Sequence, residues 1–256
     1  MKFLSIALLF FSAVSHSEIV SVAEAINKAG AQSMLSQRIV KDYIMIGSHI
    51  KSDKAHKELD QAVALFEQQH LELLDFLEDP AQMRALNQIS KTWESLRLKA
   101  ISKPSKEMAK ELIPLSDKLY IQSNKLLSLL EKKGNVHANH TVSISSKQRM
   151  LSQRIIAKLY MAMAWTVDLK NLSSSFEDTL KEYESGLAEL NKAEENTPAI
   201  QKKLKKINAQ WTFSKAGLSQ YEQDRFVPTL ISVTTESILK KMDEVTADYQ
   251  KIAENS

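Results

Sequence analysis

Arginines are the side chains in this sequence best suited to specific chemistry, because a guanidinium fork gives two parallel hydrogen bonds to a carboxylate or another planar oxyanion. Three of them stand in related places. Arg38 lies in Met34-Leu35-Ser36-Gln37-Arg38-Ile39, Arg154 lies in the identical hexamer Met150–Ile155, and Arg149 directly precedes the second hexamer. At about 100° per residue on a helix, Arg149 and Arg154 point roughly 140° apart. They cannot both reach one ligand. Arg38 and Arg154 are common to both hexamers, as are Met34 and Met150, so these four are expected to serve a structural motif. The arginines would meet a carboxylate or a helix end.

Other chemistry finds little footing. There is no Ser-His-Asp arrangement on a glycine-bearing turn, no glycine-rich phosphate loop and no cysteine, so neither an enzyme nor a bound cofactor is expected. The carboxylates sit among lysines at helical spacing, the pattern of a solvated face. His49 and His56, and His137 and His140, lack a third ligand at a recognisable spacing, so no metal site is expected. Tyr160, Trp165, Trp93 and Trp211 read as core aromatics.

Helices must position these residues. Five glycines and five prolines in 256 residues are too few for a turn-rich β chain. The long segments of Ala, Leu, Lys, Glu and Gln, apolar at spacings of three and four, predict an all-α protein. The repeated hexamer implies a duplication. Around it Gln32 answers Gln148, Val40 answers Ile156 and Met45 answers Met161 at one constant spacing, and Trp93 with Trp211 and Pro114 with Pro228 correspond to within a couple of positions. Each copy has the length of a four-helix bundle. The expected organisation is two tandem antiparallel four-helix bundles, residues 18–134 and 143–256, joined by a linker at 135–142. Gly134 is the expected cap closing the fourth helix.

Residues 1–17 read as a signal peptide: Lys2, an apolar run from Phe3 to Val14, then Ser15-His16-Ser17. No later stretch is apolar enough to span a bilayer, so the mature chain is expected in the periplasm without a transmembrane helix. A net charge of +3 is too mild to argue for nucleic acid. The absence of cysteine leaves stability to packing.

The segment Ala23-Glu24-Ala25-Ile26-Asn27-Lys28-Ala29-Gly30, followed by Met34, Ser36 and Arg38, resembles the periplasmic sensor module of the NarX/NarQ nitrate sensors and of PilJ-type type IV pilus chemoreceptors. The resemblance covers both halves of the chain. It implies a four-helix bundle whose first helices pair across a dimer interface and, in the nitrate sensors, hold a small anion. Matched by position, Lys28, Ala29 and Gly30 keep the start of the motif in copy one, while the ligand-arginine position is Ser33. In copy two that position is Arg149, and Ile144-Ser145-Ser146 replaces Lys-Ala-Gly. The resemblance therefore implies an intramolecular pseudo-dimer in which Arg149, helped by Lys28, Gly30, Ser33, Gln32 and Gln148, holds nitrate or nitrite. The function expected from it is an exported sensor-like ligand-binding protein that modulates the periplasmic part of a membrane receptor. The rival is a protein-interaction scaffold in pilus or envelope signalling, and homodimerisation of the whole chain stays open.

Overall fold

The computed structural model describes residues 19–133, 135–167, 172–223 and 225–256. The expected signal peptide and Gly134 lie outside them. Among the described residues the chain is helical without strands: α1 Val22–Gly47, α2 Ser52–Phe76, α3 Pro80–Ala100, α4 Lys106–Leu130, α5 Val136–Leu151, a π-helical segment Ser152–Leu159, α6 Tyr160–Ala164, α7 Leu172–Leu190, α8 Pro198–Leu218, a 3₁₀ turn Ser219–Gln223, and α9 Pro228–Glu254. No helix among them is long and apolar enough to cross a membrane.

Local signals explain most boundaries. Ser21, Asp79, Ser105 and Thr197 cap α1, α3, α4 and α8 by accepting backbone N–H groups with their side-chain oxygens. Pro80, Pro198 and Pro228 occupy the first turn of their helices, where the missing N–H costs nothing. Three places follow other rules. Helix α2 has no side-chain cap and starts after Lys51 in the left-handed region, φ 47°. Pro114 lies inside α4, at the loss of one helical hydrogen bond. The stretch 135–142, read as a linker, is helical from Val136, with Asn135 accepting from the Ala138 amide at 3.2 Å.

Both copies use one packing plan. In copy one α1 packs on α2 and α4, and α3 on α4; in copy two α5 and its π segment pack on α7 and α9, and α8 on α9. Phe66 stacks on Trp93 with ring centroids 3.8 Å apart, and Tyr183 meets Trp211 tilted by 45° with centroids 4.5 Å apart, so one aromatic pair holds the second and third helices of each copy. The buried series Leu112, Ser116, Leu119, Leu126 on α4 returns as Ile231, Thr235, Ile238, Val245 on α9. That register pairs Asp117 with Glu236 and uncouples Pro114 from Pro228, correcting the proline correspondence.

The first helices of the copies run side by side in one direction: Gly30 faces Ser146 and Gly47 faces Trp165. Helix α1 thus packs along α5, the π segment and α6 as well as on its own bundle. Nearly every residue from Ala23 to Met45 is buried, because the second copy covers what would be a polar face in an isolated bundle.

The π segment marks the main departure from exact duplication. Tyr43 accepts from the Ser105 amide at 3.1 Å and Tyr160 from the Val227 amide at 2.7 Å, so these tyrosines do the same job before the fourth helix of each copy. One more residue separates Arg154 from Tyr160 than Arg38 from Tyr43. A helix held at both ends takes up one inserted residue by widening a turn, which is a π bulge. Beyond it the copies slip by one. Met45 therefore corresponds to Ala162, not Met161.

Candidate functional site

Helices α1 and α5 are rich in buried polar side chains, among them Gln32, Ser33, Ser36 and Gln37 on one and Ser145, Ser146, Gln148 and Arg149 on the other. Gln32 and Gln37 reach α2 and α4 of their own copy, while Ser146 and Arg149 lie in the seam between α1 and α5. Small residues let the backbones approach: a Cβ on Gly30 would lie 2.5 Å from the Cβ of Ser146. Nothing in the amphipathic pattern announces this seam. Ser146 and Arg149 are polar, and α1 of the other copy helps to bury them.

Arg149 lies in it, 5% exposed. Its guanidinium donates to Asp243 Oδ1 of α9 at 2.8 Å, to Asn27 Oδ1 and the Asn27 carbonyl of α1 at 2.6 and 3.1 Å, and to Ser146 Oγ at 3.0 Å. The Nε group is buried without a partner. One side chain thereby ties three helices from both copies. Lys28 is turned elsewhere, 2.9 Å from Glu24 and 2.7 Å from Glu72 of α2, and shares no partner with Arg149. Burial works against the Lys28 charge, but the hydrogen bonds and attraction of Glu72 and Glu24 outweigh it and hold the ammonium above its ordinary pKa. Gln32 meets Nδ1 of His70 at 3.1 Å. Ser33 Oγ and Gln148 Oε1 are buried without partners. The structure brings Gly30 and Arg149 together with Ser146 and leaves Lys28 within copy one.

The shared arginines cross between copies. Arg38 of α1 donates to Glu236 of α9 at 3.0 Å, and Lys41 joins it at 2.8 Å. Arg154 of the π segment reaches Asp117 of α4 at 3.1 Å, and Lys158 joins it at 2.8 Å. With the one-residue slip, Lys158 is the counterpart of Lys41. Each copy thus offers an Arg-Lys pair to a carboxylate on the fourth helix of the other. Met34 and Met150, from the same hexamers, are buried in the core. Sequence reading missed Asp117, Glu236, Lys41, Lys158, Asn27 and Asp243. The shared arginines called for a carboxylate, but the choice among many on the fourth helices needed the register.

These clusters are not equally satisfied. Burial pushes the Asp42 carboxyl up to about 7 despite Lys41 and Arg38, with Glu58 adding to the rise. Burial pulls Lys158 down to about 8 despite Asp117. Burial also opposes the charges of Asp117 and Glu236, but the neighbouring Lys and Arg groups win and hold both below the usual carboxylate range. A carboxyl with a raised folded pKa contributes stability that is fully present below its unfolded value of 3.8 and is lost as pH rises through about 7. The wild type is therefore expected to lose stability relative to Asp42→Asn across that window, as read from urea midpoints at successive pH values; a constant difference refutes it.

Among the described residues no group of three His, Asp or Glu could hold a metal ion. No match accompanies the chain among curated proteins or solved structures. The family model "Type IV pili methyl-accepting chemotaxis transducer N-term" matches twice, at residues 16–115 and 133–236, and the two matches divide where the packing plan repeats. The chain belongs to this PilJ family, as two tandem copies of its chemoreceptor sensor-type module.

Proposed function

We propose that the chain is an exported, non-catalytic sensor module that takes a small planar anion, nitrate or nitrite, at Arg149 and passes the event to the periplasmic part of a membrane receptor. The observation that carries this is the position of Arg149 in the seam joining the copies. Its carboxylate partner Asp243 is half exposed, at 46% of its side chain, and Nε is unpaired. Nitrate presents the same flat two-oxygen edge as a carboxylate. An anion displacing Asp243 would engage the fork side-on and loosen α9 from α5. That is a movement a receptor can read. Since Lys28 supplies no second cation, the affinity expected is modest.

Calorimetry tests it. Nitrate or nitrite is expected to give heat that vanishes in Arg149→Ala and strengthens, by about tenfold, when Asp243→Asn removes the competing charge. Silence in both the wild type and Asp243→Asn at millimolar anion sinks the anion reading. A second reading has its own observation: the terminal guanidinium nitrogens are all engaged within the protein, as in a scaffold that keeps the arginine as a tie. In that case Arg149→Ala changes stability and receptor capture alone.

A further inference from the structure

The two copies treat one position differently. In copy one the Lys28 ammonium sits between Glu24 and Glu72. The buried pairs Phe66/Tyr183 and Leu73/Leu190 set the register of α2 against α7. By that register Glu189 stands for Glu72, and by the hexamer spacing His140 stands for Glu24 and Ile144 for Lys28. Copy two keeps the carboxylate and has lost the cation.

A half-open cavity of about 360 Å³ lies there, between α4, α5 and α7, and is lined by Ile144, Glu189, His140, Glu131 and Gln148 among others. A second cleft of about 510 Å³ adjoins it and shares Ile144, His140 and Glu189. The carboxylates Glu131 and Glu189 of the first cavity are short of a cation. Glu131 and Glu189 converge on one imidazole, 3.7 Å from His140 Nδ1 and 3.3 Å from Nε2. Lys147, the lysine lining the cavity, is already paired with Glu182 at 2.6 Å. Gln148 is 1% exposed and its Oε1 has no partner. Its counterpart Gln32 also has an unpartnered Oε1, but its amide nitrogen meets His70 in copy one, and the residue at that place in copy two is the apolar Leu187. Glu131 caps the C-terminus of α4, and that end of a helix also favours positive charge.

We propose that this cavity binds a small organic ammonium ion, which takes in copy two the place that the Lys28 side chain fills in copy one. Its N–H groups would meet Glu189 and Glu131 as charge-assisted hydrogen bonds. Its alkyl part would lie along Ile144. The site is separate from Arg149 and opposite in the charge it takes.

The test is calorimetry of the full mature chain with 1,4-diaminobutane at low salt, sodium chloride of equal ionic strength serving as the blank. Binding is expected in the wild type and unchanged in Arg149→Ala. It is expected to weaken about tenfold in Glu189→Gln, whose half-exposed side chain leaves folding intact. In Ile144→Lys, which restores the internal ammonium, it is expected to vanish while the melting temperature holds or rises. Absence of heat at millimolar amine, or heat that survives both Glu189→Gln and Ile144→Lys, overturns the proposal.

Discussion

Asp117→Ala is expected to destabilise the protein by about 3 kcal/mol, a fall in melting temperature on the order of 10 °C for a chain of this size. Asp117 answers two cations at once, Arg154 and the fully buried Lys158. Removing it takes away the charge that holds the Lys158 proton against burial, so on folding the group must sit unpaired or give up its proton. Lys158 has one further contact, donating to Ser116 Oγ at 3.1 Å, and a hydroxyl does not offset a buried charge. Arg154 loses less, because its guanidinium also lies 4.8 Å above the Tyr120 ring and its side chain is 15% exposed.

The symmetry-related change, Glu236→Ala, is expected to cost about 1 kcal/mol. Lys41 keeps Asp42 at 3.1 Å and Glu58 at 3.8 Å, and Arg38 keeps Glu58 at 3.1 Å. Urea unfolding at pH 7 compares the two variants. Adding Lys158→Met to Asp117→Ala is expected to recover most of the loss, since a chain of similar volume replaces the stranded charge. Equal costs for the two carboxylates, or no recovery in the double variant, would show that the cross-copy pairs do not carry these charges as the structure implies.

Gly30→Ala is expected to cost about 2 kcal/mol and to act on the seam as a whole. The added carbon would meet the Cβ of Ser146 at 2.5 Å and its backbone Cα at 3.7 Å. Neither atom can swing aside, so α1 and α5 must separate. Separation lengthens the Arg149 bonds to Asn27, which run from one helix to the other. Ser146→Gly in the same background makes room again and is expected to restore most of the stability, although Arg149 then loses its bond to Ser146 Oγ. A Gly30→Ala protein as stable as the wild type would mean that the two first helices are not held in this close contact. Gly186→Ala is a useful contrast, because the carbon there meets the flexible amide end of Gln148, which can move.

The helices and their duplication were legible because the signals are local. Cap residues such as Asp79 and Thr197, prolines at first turns, and apolar spacing act within a few residues of themselves. The membership of Arg38 and Arg154 in one repeated hexamer was equally plain. Two kinds of error had physical causes. Constant spacing was carried past an inserted residue that only the π segment reveals, so Met161 was paired one place off. The stretch 135–142 was read as a linker because Asn135, His137, Asn139 and His140 are polar, yet Asn135 supplies an N-cap and α7 offers Glu189 to His140.

The candidate site was legible in its parts and not in its assembly. Arg149 and Lys28 were both visible, but which carboxylate each meets depends on helices far away in sequence. Lys28 falls to Glu72 of its own copy and Arg149 to Asp243 at the other end of the chain. By itself the sequence determined that this is an all-helical duplication, because periodicity, capping and repeated words are properties of neighbouring residues, and the motif around Lys28-Ala29-Gly30 carried the resemblance to PilJ-type modules. Only the tertiary structure decided that the copies share a polar seam, that their charges cross in reciprocal pairs, and that copy two keeps a carboxylate without its lysine. Those outcomes rest on the rotation and register of packed helices, set by side-chain volumes summed over both bundles, and no short stretch of the chain encodes them.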